Sequence, residues 1–260
     1  MKKIMIGFLL VVTIFLSGCD SDKELKIATT TSLDNSGLLE FIIPHFEEEY
    51  DIKVSIIAVG TGAALELGEE GEVEILLVHD YEREVTFVNN GFGLYRHDIM
   101  YNDFILIGPN PLTTAPLNMA LKEIKDNYSF YSRGDNSGTH SKEVSLWKEA
   151  GYDVNTFGDF YKETGQSMGA TITMTSLSGF YTLSDRATYL SMKENIELVI
   201  AYENKEELKN QYGVIKVNPE LYTTTDEYAD LFYDWIIRED IQELISSYQK
   251  YEEQLFYPNA

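Results

Sequence analysis

From residue 25 the chain alternates short β-branched or apolar runs with longer stretches of helical periodicity, a pattern that restricts it to an α/β fold. "LKIATT", "KVSIIAVG" and "EILLVHD" read as strands. Between them, "SGLLEFIIPHFEEEY" lines up Leu38, Leu39, Ile42, Phe46 and Tyr50 on one helical face, with a kink predicted at Pro44. "AALELGEEG", closed by Gly71, and "YEREVTFVNNG", with Gly91 as its C-cap, complete a first set of elements. The long extended run "DIMYNDFILIGP" then interrupts the alternation.

A second set follows. "TTAPLNMALKEIKDN" is helical, "YSFYSR" a strand, "SGTHSKEVSLWKEAG" a helix to Gly151, "SMGATITMTSLSG" a helix, "FYTLS" a strand, "DRATYLSMKEN" a helix and "ELVIAY" a strand. A further isolated extended segment, "YGVIKVNP", reads as the return crossing. The terminal "TDEYADLFYDWIIREDIQELISSYQ" is expected as one long helix that docks Tyr228, Leu231, Phe232, Trp235 and Ile236 on the first set. Two α/β lobes joined by two crossings form a venus-flytrap, whose cleft closes on a ligand by hinge motion. Residues 20–108 with 214–260 are expected as lobe I and residues 109–213 as lobe II.

The first nineteen residues read as a targeting segment. Lys2 and Lys3 precede the apolar run "IMIGFLLVVTIFL", which is too short for a comfortable membrane span. "LSGC" follows at once, the arrangement of a bacterial lipobox in which Cys19 is lipidated and becomes the new N-terminus. An ordinary secretory signal with a chance cysteine is the simpler alternative. Cys19 is the sole cysteine, so the mature chain has no disulfide, no thiolate nucleophile and no cysteine metal site. The expected address is extracytoplasmic, on the membrane through a lipid at Cys19, and on the periplasmic side if the host has an outer membrane.

Charge excludes a further class. The net charge is −23, and −25 once residues 1–19 are removed. A phosphate backbone would meet net repulsion, so nucleic acid is not a partner. The acidic excess is uneven: residues 109–213 carry 10 Lys and Arg against 14 Asp and Glu, while the rest of the mature chain carries 8 against 29. A solvated surface accounts for it.

The tetrapeptide DNSG occurs twice, in "TTTSLDNSGLLEFI" and in "SRGDNSGTHSKEV", each time where a strand gives way to a helix. The first turn of a helix leaves backbone N–H groups unpaired and favours negative charge above them. Thr29, Thr30, Thr31 and Ser32 crowd the first junction; Ser132, Ser137 and Thr139 crowd the second. A third junction, "AVGTGAAL", offers Gly60, Thr61 and Gly62, small enough for backbone amides to approach a ligand. Arg133 adds a guanidinium fork suited to tetrahedral oxyanions. Each turn alone is an ordinary helix cap. Asp34 and Asp135 are expected as caps, or as the partner holding Arg133, because a carboxylate facing an anion repels it. Together the turns could surround a small dianion with neutral donors and one compensating cation.

These segments, with "LGEEGEVEILLVHD", "HDIMYNDFILIGP", "GQSMGAT", "YTLSDRATYL", "YGVIKVNP" and "EQLFYPNA", resemble the substrate-binding lipoproteins of tungstate-specific ABC transporters. The resemblance spans essentially the whole mature chain and is most specific in "TTTS" and "SRGDNSGT". It implies a class II periplasmic-binding-protein fold, tungstate as ligand with molybdate as the closest competitor, and an ABC transporter permease as partner. It implies oxyanion contacts at Thr30, Thr31, Ser32, Thr61, Arg133, Ser137, Gly138 and Thr139, with the Met168-Gly169-Ala170 turn touching the ligand as well. No cofactor or metal is called for, and the protein is expected to work as a monomer.

Three other readings stay open on sequence. "RGDNSGT" also resembles the loop of phosphate-binding proteins of this fold. Phosphate keeps a proton near neutral pH and is best met by a carboxylate acceptor, whereas tungstate is fully deprotonated and needs donors only. A secreted hydrolase could draw on Ser137, His140 and Asp135, but the four histidines lack metal-ligand spacing and no G-x-S-x-G elbow is present. An adhesion or structural lipoprotein would have no small ligand and no hinge.

Overall fold

The computed structural model describes residues 23–222 and 226–260. The targeting segment and Cys19 lie outside the described residues. The chain enters through β1 (Glu24–Thr30), α1 (Thr31–Ser36), α2 (Leu38–Tyr50), β2 (Lys53–Val59), α3 (Thr61–Glu69), β3 (Ile75–Val78) and α4 (Tyr81–Asn89). β1 pairs in parallel with β2 on one side and with β3 on the other. The chain therefore steps outward from β1 and then back across it. That reversal opens a crevice beyond the carboxyl ends of β1 and β3, the usual place for a ligand in such sheets. β3 reads ILLV and is buried throughout, as a strand covered on both faces must be.

The first extended run is β4 (Gly93–Gly108), longer than expected and common to two sheets. Through Asp103 it pairs antiparallel with β9 (Lys209–Val217), and from Phe104 onward it pairs with β7 (Thr182–Asp185) and β8 (Val199–Tyr202). The return segment is not isolated, because β9 lies between β4 and β3 and is antiparallel to both. Buried Asn210 Nδ2 donates to Asn102 Oδ1 at 2.7 Å where the two crossing strands run side by side.

The second lobe is built on α5 (Leu117–Asn127), β5 (Phe130–Ser132), α6 (Gly138–Glu149), β6 (Tyr161–Glu163), α7 (Met168–Ser178), β7, α8 (Arg186–Met192) and β8. β5 pairs in parallel with β6 and touches β7 through a Phe130–Tyr181 bridge. Its core gathers Phe104, Leu121, Phe130, Trp147, Tyr181 and Leu183. The chain is a two-lobed class II periplasmic-binding-protein fold with two crossing strands.

Two expectations are corrected. The first helix begins at Thr31 rather than Ser36 and is broken at Gly37, whose φ of +85° ends α1 before α2 starts. Pro44, where a kink is expected, lies inside α2, which continues past it to Tyr50. The terminal segment is two helices, α9 (Asp226–Ile236) and α10 (Glu239–Ser247), separated at Arg238, whose extended backbone (φ −66°, ψ 142°) cannot continue a helix. Arg238 is held there by Glu49 at 2.6 Å and Asp240 at 2.7 Å. α9 still docks as expected, placing Phe232 and Trp235 against Phe46 in the core shared with Leu25 and Ile27. The chain closes with β10 (Gln249–Lys250), β11 (Glu253–Gln254) and β12 (Tyr257–Pro258), the last paired with β4.

Candidate functional site

At the carboxyl end of β1, Thr30 is the N-cap of α1. Its Oγ1 accepts from the Leu33 amide at 3.3 Å and lies 3.1 Å from Ser32 Oγ. The Leu33 amide occupies one lone pair of this hydroxyl, and one proton of the Thr30–Ser32 hydroxyl pair is left for a further acceptor. Thr30 is buried, whereas Thr31 is exposed and Ser32 partly so.

The second turn is built the same way on the other lobe. Ser137 caps α6, accepting from the His140 amide at 3.3 Å, and Gly138 and Thr139 are buried in the first turn of that helix. Asp135 Oδ1 accepts from the Ser137 amide at 3.2 Å, and Asp135 Oδ2 pairs with Arg133. Asp135 is the partner of Arg133, as expected. Asp34 does not cap: Thr30 holds that position and Asp34 is exposed in the first turn of α1.

A cavity of about 510 Å³ separates these turns. Thr31, Ser32 and Asn35 form one wall, Arg133 and the Ser167-Met168-Gly169 start of α7 another. Ser167 occupies the N-cap of α7 but makes no capping bond, so its hydroxyl is free to turn to the cavity. Thr188 and Ser191 of α8 complete the polar lining, which contains no Asp or Glu among the described residues. Of the expected contacts, Thr31, Ser32 and Arg133 line this cavity. Thr30, Thr61, Ser137, Gly138 and Thr139 do not, and are buried. Thr61 Oγ1 is fully buried with no hydrogen-bond partner among the described residues. Such a hydroxyl costs about 1–3 kcal/mol, which a bound acceptor would recover.

Two groups near Arg133 escaped the sequence reading. His79, just past β3, is half-buried beside Tyr212, with ring centroids 4.8 Å apart and its Nδ1 out of reach of water, and loss of solvent pushes its pKa down to about 4 with Arg133 adding to the fall. It is therefore neutral at pH 7. Asp185, at the end of β7, is raised by burial although the Thr188 amide at 2.8 Å and the nearby Arg133 charge pull it down. The signals for these were a lone histidine and an Asp before a helix, neither distinguishable from ordinary core and capping roles.

Ser137, His140 and Asp135 form no relay. The His140 ring accepts from the Asn136 amide at 3.0 Å, and Ser137 Oγ meets the His140 backbone rather than its imidazole. Such bonds build a turn, not a nucleophile.

A PBP superfamily domain matches residues 19–240. "Tungstate-binding protein TupA" of Peptoclostridium acidaminophilum is 44% identical over 251 residues, spanning 91% of this chain and 86% of that protein. The chain belongs to the tungstate-binding protein family of this superfamily. A solved family member, the tungstate-binding protein of Desulfovibrio alaskensis G20, is 41% identical with a TM-score of 0.81, covering 91% of this chain and 99% of that one. The tungstate ABC transporter structure from Geobacter sulfurreducens, also 41% identical, gives a TM-score of 0.78 over 87% of this chain and 99% of that one. This kinship implies an extracytoplasmic location for the chain. Among the described residues no helix is long and apolar enough to cross a membrane.

Proposed function

We propose that this protein captures tungstate, with molybdate as competitor, in the cleft between its lobes and delivers it to an ABC transporter permease. It is tethered through a lipid on Cys19 and acts as a monomer. Thr30, Thr31, Ser32, Thr61, Ser137, Gly138 and Thr139 supply neutral donors around the anion, and Arg133 supplies the compensating charge. The observation that carries the choice of ligand is the lining itself: hydroxyls, an amide and a guanidinium without a carboxylate. Hydrogen phosphate would bring a proton with no anionic acceptor to receive it, while a fully deprotonated tetraoxoanion needs donors alone. The identity to tungstate-binding relatives over most of the chain supports the same choice.

In the closed cleft, short-range donors decide binding, so the strongly negative net charge is no obstacle. Relatives that are transport proteins also argue against catalysis. Calorimetry with tungstate, molybdate, phosphate and sulfate tests the reading. Tungstate is expected to bind tightest, with an affinity flat between pH 6 and 8. An affinity that tracked the second ionisation of phosphate would favour the phosphate reading, and failure to bind any oxyanion would end the oxyanion assignment.

A further inference from the structure

The junction between β3 and α4 reaches the second lobe at two points. β3 lies beside β1 where the chain reverses, so its carboxyl end opens on the same side as Thr31 and Ser32. His79 meets the first residue of α6: a Cβ placed on Gly138 would sit 2.5 Å from the His79 ring. Four residues later, Arg83 Nη1 donates to the Asn136 carbonyl at 3.5 Å. Asn136 belongs to the turn that carries Arg133 and Ser137, and it holds a left-handed backbone with φ +57°. The same guanidinium roofs the start of α3, since a Cβ on Gly62 would lie 3.4 Å from Nη1. Its nearest carboxylate is Asp80, with Oδ2 3.4 Å from Nε.

Arg83 thus spans three segments at the rim of the cleft: the Thr61 turn and the α4 start on one lobe, and the Arg133 turn on the other. Its side chain keeps 40% of its surface exposed, which suits a rim position rather than a direct ligand. A bond made only between lobes favours the closed form and leaves the open form untouched. An enclosed ion departs only after the lobes part, so such a bond acts on release and not on capture.

We propose that Arg83 is a rim latch that holds the Arg133 turn against the first lobe and slows release of the bound oxyanion. The inference rests on the oxyanion-cleft reading above. Asp80 neutralises the guanidinium and orients it, and the Asn136 carbonyl is the strike plate.

The test is a chase experiment on the full-length protein. Tungstate-loaded protein is mixed with excess molybdate, and retained tungsten is followed by elemental mass spectrometry. Arg83→Met keeps the aliphatic stem and removes every donor. It is expected to release tungsten about three- to tenfold faster, with the association rate and the thermal midpoint of ligand-free protein unchanged. Arg83→Lys, which retains one donor for the carbonyl, should recover part of the retention. Equal release rates for wild type and Arg83→Met would overturn the latch alone. A fall confined to the association rate would also overturn it, marking Arg83 as a steering charge. Wild-type protein that retains no tungsten would sink the cleft reading and the latch together.

Discussion

The same tetrapeptide, DNSG, begins residues 34 and 135 and does different work in the two lobes. In the first lobe it forms the last turn of a helix that Thr30 has already started, and Gly37 with φ +85° ends it. Its far end is held by the C-terminal segment: Tyr248 OH donates to the Ser36 carbonyl at 2.7 Å and Lys250 Nζ to the same oxygen at 2.9 Å. In the second lobe it precedes the helix, Ser137 is the cap, and Asp135 holds Arg133. The residue two places before each Asp, Ser32 in the first copy and Arg133 in the second, decides which lobe carries the charge. The first turn supplies hydroxyls and the second supplies hydroxyls and the cation.

The largest expected contrast comes from the residue that only the second turn has. Arg133→Ala removes the charge opposite the anion and leaves Asp135 unpaired beside it. It should weaken tungstate binding by about 3–5 kcal/mol, on the scale for breaking a largely buried pair. Ser32→Ala in the first turn removes a neutral donor and should cost about 1 kcal/mol. Calorimetry on both variants checks this, and equal losses would mean the two turns share the anion evenly.

A second contrast lies beneath the turns. Behind the second, buried Glu143 accepts from Ser132 and, at 2.8 Å, from Tyr161 OH, with no cation among these contacts. Burial pushes its pKa up to about 7 from the ordinary 4.5. The folded protein thus binds a proton that the unfolded chain releases. Stability from this group is complete below about pH 4.5 and is lost as pH rises toward 7, by up to about 3 kcal/mol. Glu143→Gln should flatten that decline in urea titrations between pH 5 and 8. A variant that keeps the wild-type slope would place the titration elsewhere.

Glycines separate folding from closure. Gly138→Ala would thrust a Cβ to within 2.5 Å of the His79 ring, which Tyr212 backs, so the lobes could not meet. Affinity should fall more than about tenfold, near 1.4 kcal/mol, with little change in stability. Gly37→Ala has the opposite profile. A φ of +85° strains alanine and its Cβ meets Tyr248 OH at 2.7 Å, so stability should fall by about 1–2 kcal/mol while affinity holds. Urea midpoints and calorimetry on both variants read the two effects apart.

Features written in a short window of sequence were legible. Strand and helix alternation follows from periodicity, and Ser137, Asp135 and Arg133 are read locally because a cap and its helix are neighbours. Features that depend on distant partners were not. The break at Arg238 carries no Gly or Pro; it depends on Glu49, which packs there from α2. Thr31 falls in the turn between the strand "LKIATT" and the helix expected from Ser36, yet α1 starts at it. Ser167, Thr188 and Ser191 are ordinary helix residues until the fold turns α7 and α8 toward the cavity. His79 acquires its meaning from Gly138, 59 positions later.

The smallest contrast compares the two aspartates of the repeat. Asp34→Asn should leave affinity unchanged within about twofold, because the Asp34 side chain is exposed and Thr30 does the capping. Asp135→Asn removes a negative charge near the anion, which favours binding, and loosens the Arg133 guanidinium, which opposes it. Among the described residues Arg133 otherwise has a 3.4 Å bond from Nε to the Gln166 carbonyl. A charge-assisted pair that positions a fork is worth more than a screened repulsion between groups it already neutralises. Affinity should therefore fall about fivefold, near 1 kcal/mol, by calorimetry at moderate salt. Tighter binding would reverse that ranking and make Asp135 a brake on the anion instead of the clamp on its cation.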